Sequence, residues 1–210
     1  MNPAPPAARS TPAEDVIGVV LAGGFGRRMG RDKSLVPLAG QPAAQRQAAL
    51  LREATRRVVV SVRPEQLSGK DRAAFNGLEC IADDTPGAGP LGALVTVARH
   101  FPERALLIVA VDLAGLTASA LRQLLAARAP EVAVVAARQQ PAGISSTTSD
   151  LPHPLCALWT PPALAAARRA WQAGSRSPRW VLADIACDNP RAIRLLAIPF
   201  TDRNTPPPDA

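Results

Sequence analysis

The apolar residues of this chain follow two patterns that alternate along its length. Short continuous runs of Val, Ile, Leu and Ala are typical of strands buried on both faces, and longer segments with Leu and Ala at helical spacing predict amphipathic helices. The runs predict strands at 16–21, 58–62, 78–81, 105–111, 131–136, 153–159 and 192–200. The spaced segments predict helices at 42–54, 91–100, 117–129, 161–173 and 178–186, with 64–75 weakly helical at best. This alternation predicts an α/β fold with a mostly parallel twisted sheet flanked by helices.

The first predicted strand runs directly into a segment that combines glycines with basic residues. The glycines, which let the backbone approach a bulky anion, are Gly23, Gly24, Gly26 and Gly30. The basic residues, which neutralise phosphate and donate hydrogen bonds to it, are Arg27, Arg28, Arg31 and Lys33. The segment therefore predicts a phosphate-binding site, with a nucleoside triphosphate as the favoured ligand.

Two common phosphate-binding loops do not match this segment. A P-loop has glycine directly before its lysine, whereas Asp32 precedes Lys33 here. A dinucleotide-binding loop has a tighter second interval than Gly24, Gly26 and Gly30 provide. Arg63 follows the second predicted strand, where an arginine suits a 2′-phosphate, so NADP binding stays open as an alternative.

Acidic residues follow two further predicted strands. Asp83 and Asp84 follow the strand at 78–81, and Asp112 directly follows the most hydrophobic strand, 105–111. Carboxyl ends of parallel strands share one edge of the sheet, so these acids are expected to face the glycine-rich segment across a crevice. Asp112 suits Mg²⁺, while Asp83 suits a ribose or base edge or a metal. A register shift that puts Asp84 in this place stays open.

The segment Leu21-Ala-Gly-Gly-x-Gly-x-Arg-Met-Gly-x-Asp-Lys33, followed by Leu38-Ala-Gly-Gln-Pro42, resembles the signature of the molybdenum cofactor guanylyltransferases, a branch of the MobA-like NTP transferases. Gly89-Pro90-Leu91, Asp112 and Asn204-Thr-Pro206 extend the resemblance over about residues 16–206. The chain departs from the family at Ala114, where the family has proline, and only four residues follow Pro206 where a helix is usual.

The resemblance implies a three-layer, Rossmann-like nucleotidyltransferase domain over 16–206, with a disordered tail at 1–15 and a short tail at 207–210. It implies transfer of GMP from GTP to the phosphate of molybdopterin, with release of pyrophosphate. Catalysis is then expected of Arg28, Lys33 and Asp112. Nucleotide binding is expected of Leu21, Ala22, Gly23, Gly24, Gly26, Arg28, Lys33 and Asp83. Mg²⁺ is expected at Asp112 and Asn204, with Asp202 as the alternative to Asn204.

Two alternatives within the resemblance remain open. A related enzyme would use CTP or a sugar-phosphate acceptor, and base choice depends on contacts near Leu21 and Val62–Arg63. A non-catalytic nucleotide-binding homologue would account for Ala114 and the short carboxyl-terminal segment.

The amino-acid composition limits which ligands and partners the protein is expected to bind. A net charge of +7 over 210 residues suits anionic substrates, but the arginines are dispersed and aromatic residues make up only 3%, which argues against nucleic acid. Cys80, Cys156 and Cys187 form no Cys-x-x-Cys pair, so we expect reduced thiols, no zinc site and a cytoplasmic protein. No leader or membrane-length apolar run is present, so no membrane partner is expected. The sequence leaves open a monomer or a weak homo-oligomer, and molybdoenzyme maturation proteins as partners.

Overall fold

The computed structural model describes residues 15–24, 32–140 and 151–202. The expected tails at 1–15 and 207–210 lie outside these residues, except for Asp15, whose carboxylate pairs with Arg104 at 2.6 Å. The middle of the glycine-rich segment, including Gly26 and Arg28, and the expected metal ligand Asn204 also lie outside them.

Strands and helices alternate along the chain as the hydrophobic pattern predicts. The strands are β1 (Val16–Leu21), β2 (Pro37–Leu38), β3 (Gln41–Pro42), β4 (Arg57–Val62), β5 (Glu79–Ala82), β6 (Ala105–Ala110), β7 (Leu113–Ala114), β8 (Val134–Gln140), β9 (His153–Trp159), β10 (Ile193–Pro199) and β11 (Thr201–Asp202). The α-helices are α1 (Ala43–Arg52), α2 (Gly89–His100), α3 (Ala118–Ala126), α4 (Pro161–Gln172) and α5 (Pro178–Asp188). Short 3₁₀ helices cover Lys33–Leu35, Pro64–Leu67, Gly69–Phe75 and Pro190–Ala192.

The centre of the fold is a twisted, mostly parallel sheet. Within the described residues it has seven strands in the order β10-β8-β9-β6-β1-β4-β5. Strand β9 runs antiparallel to its neighbours β6 and β8, and the remaining neighbouring pairs are parallel. The expected α/β sheet is therefore confirmed, with β6 and β1 in its interior.

Helices cover both faces of this sheet. On one face α1 and α3 bury Leu51 and Leu121 against the strands. On the other face α2 and α4 bury Leu94 and Leu164. Because successive residues of a strand point to opposite faces, a strand between two helical layers needs apolar residues at every position. This requirement explains why β1 and β6 are uniformly apolar and buried throughout.

One predicted boundary is wrong. The sequence predicts a strand at 131–136 and a polar loop at 138–152, of which 141–150 lie outside the described residues. In the structure β8 begins at Val134 and continues to Gln140. The extension exists because β8 pairs in parallel with β10 along its whole length, with Gln140 opposite Pro199. The polar residues at its end hide this pairing with a strand far away in the chain. The other predicted elements are present with their ends shifted slightly.

Candidate active site

The carboxyl ends of β6, β1, β4 and β5 lie side by side at one edge of the sheet. The parallel ladder continues past the strands, with Ala22 N donating to Ser61 O at 2.9 Å, Asp83 N to Val62 O at 2.8 Å and Val111 N to Leu21 O at 3.1 Å. The residues that follow these strand ends are consequently held next to one another. The residues expected to line a crevice, Gly23, Asp83 and Asp112, therefore follow strands that end at this same edge of the sheet.

Lys33 and Asp112 meet on the β6 side of this crevice. The Lys33 ammonium donates to Asp112 Oδ2 at 2.7 Å, and the two side chains are 17% and 16% exposed. The residue expected from the sequence to bind phosphate therefore lies in direct contact with the residue expected to bind the metal ion. Each group retains an accessible edge, so a phosphate oxygen can approach the ammonium and a cation can approach the carboxylate.

The turn after Asp112 is held by contacts from distant parts of the chain. Strand β7 pairs antiparallel with β11, which brings the backbone of Asp202 opposite Leu113. The buried Gln47 of α1 donates a hydrogen bond to the Leu113 carbonyl. The carboxyl-terminal segment therefore returns to the neighbourhood of Asp112 as the sequence predicts, although Asn204 itself lies outside the described residues.

Asp83 follows β5, which lies on the other side of β1 from β6, the strand that leads to Asp112. The Asp83 carboxylate accepts a hydrogen bond from the Ser61 hydroxyl at 2.5 Å and is so close to Gly23 that a Cβ there would lie 2.6 Å from Asp83 Oδ2. Burial raises the pKa of Asp83 above its ordinary value and the charge of Asp84 adds to this, while the Ser61 hydrogen bond and the Arg63 charge lower it. Asp84 points away and pairs with Arg99 at 3.0 Å. The geometry therefore favours Asp83 over Asp84 as the residue that faces the crevice.

Sequence reasoning missed the structural role of Arg63, which lies buried next to Gly23 and Asp32. Arg63 is only 8% exposed, and its guanidinium donates to Gly23 O and to Asp32 Oδ2, both at 2.8 Å. Because its guanidinium is already bound by these two acceptors, the sequence argument for a 2′-phosphate at Arg63 loses its support. The pairing could have been suspected from Arg63 itself, since a charge at a buried strand end needs a partner.

Leu21, Ala22 and Gly24 are also expected to bind nucleotide, and they differ in burial and in the space around them. Leu21 and Ala22 are buried, and Leu21 O, Ala22 N and Ala22 O already make hydrogen bonds within the protein. Among the described residues, no heavy atom lies within 4 Å of a Cβ built on Gly24. The structure therefore places Gly23 beside Asp83 and Lys33 beside Asp112, while Gly26, Arg28 and Asn204 lie outside the described residues.

The donor set near Asp112 fits a metal ion that is shared with a substrate. No group of three or more His, Cys, Asp or Glu side chains within the described residues could hold a metal ion by itself. One carboxylate at a crevice suits Mg²⁺ or Mn²⁺, which commonly take one or two carboxylates and complete their shell with water and substrate phosphates. In the described part of the chain, the helices are too short or too polar to cross a membrane.

The sequence of this chain is similar to a protein family model and to proteins with functional names. A family model described as the MobA-like NTP transferase domain matches residues 18–190. A protein of Opitutus terrae named "Probable molybdenum cofactor guanylyltransferase" is 34% identical over 198 residues, which is 92% of this chain and 90% of that protein.

Solved structures share the fold. Molybdopterin-guanine dinucleotide biosynthesis protein A from Archaeoglobus fulgidus has a TM-score of 0.60 at 22% identity, covering 87% of this chain and 83% of its own. Rv0371c from Mycobacterium tuberculosis, crystallised in complex with manganese, has a TM-score of 0.63 at 16% identity, covering 92% and 94%.

Proposed function

Because the chain belongs to the MobA-like NTP transferase family and is a nucleotidyltransferase, we propose that it transfers GMP from GTP to the phosphate of molybdopterin and releases pyrophosphate. The observation that carries this proposal is the contact of Lys33 with Asp112 beside the glycine-rich segment. Cleavage of a triphosphate requires a positively charged hydrogen-bond donor and a carboxylate that can bind a metal ion, and both are found here at the carboxyl edge of the sheet. The name of the Opitutus terrae relative supports the choice of substrates.

The chemistry is an in-line displacement at phosphorus. A terminal phosphate oxygen of molybdopterin attacks the α-phosphorus of GTP, and the bond from that phosphorus to the oxygen that bridges the α- and β-phosphates breaks. The attacking oxygen is already anionic, so no general base is needed. Placement and charge neutralisation account for most of the rate in such reactions.

The chain's own residues have separate roles in this proposal. The backbone N–H groups of Gly23 and Gly24, with Gly26 and Arg28 further along, bind the triphosphate. Lys33 donates to phosphate oxygens and stabilises the charge on the departing pyrophosphate. Asp112, with Asn204 as a second oxygen ligand, holds Mg²⁺, and the bound metal supplies further neutralisation of phosphate charge.

Asp83 gives the site a means of selecting guanine. Guanine offers an N1–H and an adjacent amino group to an acceptor, whereas cytosine offers only an amino group as donor at its edge. Strand β5 lies beyond β4 on one side of β1, and β6 lies on the other side. A base at the Asp83 carboxylate therefore leaves the phosphates to extend across the glycine-rich segment towards Lys33.

We further propose a cytoplasmic setting, which is consistent with three unpaired cysteines, all of them in the described part of the chain. A monomer or weak homo-oligomer and contact with molybdoenzyme maturation proteins stay predictions from the sequence.

The test is a pyrophosphate-release assay with molybdopterin and Mg²⁺, comparing GTP with CTP. We expect turnover with GTP and an Asp112→Asn variant slower by about 100-fold or more, in the range seen when one group that stabilises transition-state charge is removed. Asp84→Asn is the matched control, because Asp84 pairs with Arg99 outside the crevice. Turnover with CTP in place of GTP would contradict the guanine assignment, and full activity in Asp112→Asn would contradict the site.

A further inference from the structure

Three buried polar residues join the two ends of the glycine-rich segment. Residues 22–23 leave β1 at one end, and Asp32 precedes Lys33 at the other. Arg63 bridges these ends directly, since its guanidinium donates to Gly23 O and to Asp32 Oδ2, both at 2.8 Å. The Arg63 and Asp32 side chains are 10% and 8% exposed, so the ion pair is largely shielded from water.

Gln66 makes a second bridge between the same two ends. Its amide nitrogen donates to Asp32 Oδ2 at 2.7 Å and to Ala22 O at 3.2 Å. Its amide oxygen accepts from the Arg63 backbone N–H at 2.7 Å, which orders the amide. Gln66 is 1% exposed, and a buried amide with both ends satisfied is a rigid connector.

The Asp32 carboxylate passes this constraint on to Lys33. Its other oxygen, Oδ1, accepts from the Ser34 backbone N–H at 2.9 Å and from the Ser34 hydroxyl at 2.6 Å. Asp32 thereby caps the short 3₁₀ helix that begins with Lys33. The cap thereby holds the backbone of Lys33, whose side chain reaches Asp112.

We infer that Arg63, Gln66 and Asp32 form a loop clasp that holds Gly23 and Lys33 in a fixed relative position for binding a triphosphate. Within the clasp, Arg63 and Gln66 are positioning residues: they act through Asp32 and do not contact the nucleotide. Their buried side chains already donate to carbonyl and carboxylate acceptors, so phosphate binding is assigned to Lys33, Arg28 and the glycine backbone. The inference rests on the proposed function for the identity of the ligand.

The main variant for the test is Gln66→Met, which keeps side-chain length and removes every bridge made by the amide. It retains the Arg63–Asp32 ion pair, so it is expected to fold. Gln45→Met is the matched control, because Gln45 also donates to two backbone carbonyls, Ala74 O at 3.1 Å and Asn76 O at 2.9 Å, away from the crevice. Arg63→Lys is the second variant, since one ammonium cannot reproduce the planar double contact of a guanidinium.

We expect Gln66→Met to lower kcat for GTP about tenfold, because transfer is sensitive to small misplacement of the groups around phosphorus. Gln45→Met is expected to stay near wild type. Arg63→Lys and Gln66→Met combined are expected to lower kcat by more than the product of the two single losses, because each single variant keeps the other bridge to Asp32. Exchange of the Ser34 amide hydrogen, which bonds to Asp32, should be faster in Gln66→Met than in Gln45→Met.

Wild-type kcat in Gln66→Met, or additive losses in the double variant, would overturn the loop clasp. A direct phosphate contact by Arg63 would instead give a large loss of GTP affinity in Arg63→Lys with none in Gln66→Met, which also overturns it. If wild type turns over no nucleotide, the proposed function fails by itself. The loop clasp is then tested by measuring the affinity for GTP. An affinity lowered about fivefold or more in Gln66→Met supports the loop clasp, and an unchanged affinity overturns it.

Discussion

Gly23 and Gly24 are adjacent, and the sequence assigns them the same role, but the structure predicts opposite responses to alanine. A Cβ at Gly23 would lie 2.6 Å from Asp83 Oδ2, whereas ordinary contact begins at 3.4 Å. Among the described residues, nothing lies within 4 Å of a Cβ at Gly24. Neither glycine has a φ in the left-handed region, so backbone strain does not enter the comparison.

The size of the effect follows from how Asp83 is held. Relief of the clash requires a shift of about 0.8 Å, and the carboxylate can make that shift only by weakening its hydrogen bond from Ser61. Overpacking of this kind costs about 1–3 kcal/mol, and the loss of a hydrogen bond to a charged group costs a similar amount. We therefore expect Gly23→Ala to lower the free energy of unfolding by about 2 kcal/mol. Gly24→Ala should raise it by about 0.4–1 kcal/mol, because the unfolded chain loses conformational freedom.

The assay is urea unfolding of the nucleotide-free protein, so that contacts with substrate play no part. A double-mutant cycle adds Asp83→Ala, which removes the atom that the new Cβ would meet. The cost of Gly23→Ala should then largely disappear, because the contact that remains, with Arg63 N, lies at an ordinary 3.6 Å. The reasoning would be refuted if Gly23→Ala and Gly24→Ala changed the free energy of unfolding equally. It would also be refuted if Gly23→Ala cost as much in the Asp83→Ala background as in wild type.

Three further predictions concern single side chains. Burial raises the folded-state pKa of Asp83, so the contribution of its carboxyl group to stability is fully present below the unfolded-state pKa and is lost as pH rises through the folded-state pKa. Asp83→Asn should therefore raise the melting temperature at neutral pH, and this gain should vanish at acid pH, where Asp83 is protonated. A gain that persists at acid pH would show that the raised pKa is not its cause. The Thr117 side chain accepts from Ala120 N at the start of α3, so Thr117→Ala should cost about 1 kcal/mol in urea unfolding, against almost nothing for the exposed Ser119→Ala; equal costs would contradict the cap. Burial raises the pKa of the Cys156 thiol to about 12, so a disulfide reagent at pH 8 should modify the exposed Cys187 quickly and reach Cys156 only on unfolding; rapid labelling of Cys156 in the folded protein would refute this.

Much of the fold could be predicted from the sequence because its signals are local. The uniform apolar runs of β1 and β6 require burial on both faces, and helix spacing between them requires a layered α/β arrangement. Local order also predicts which residues follow a strand, so Lys33, Asp83 and Asp112 could be selected as site residues by position and chemistry. The end of β8 could not be predicted this way, since the backbone partner of its last residues is β10, a strand far away in the chain.

The sequence by itself determined the family, the sheet, and the residues that line the carboxyl edge of its strands, because each depends on residue type and spacing within short segments. Only the tertiary structure decided that Lys33 contacts Asp112 across 79 positions of the chain, that Asp83 rather than Asp84 faces Gly23, and that Arg63 is tied to Asp32. The physical reason is the same in each case. Buried charges take whichever partner the strand order brings close, and strand order arises from long-range packing that no short segment encodes.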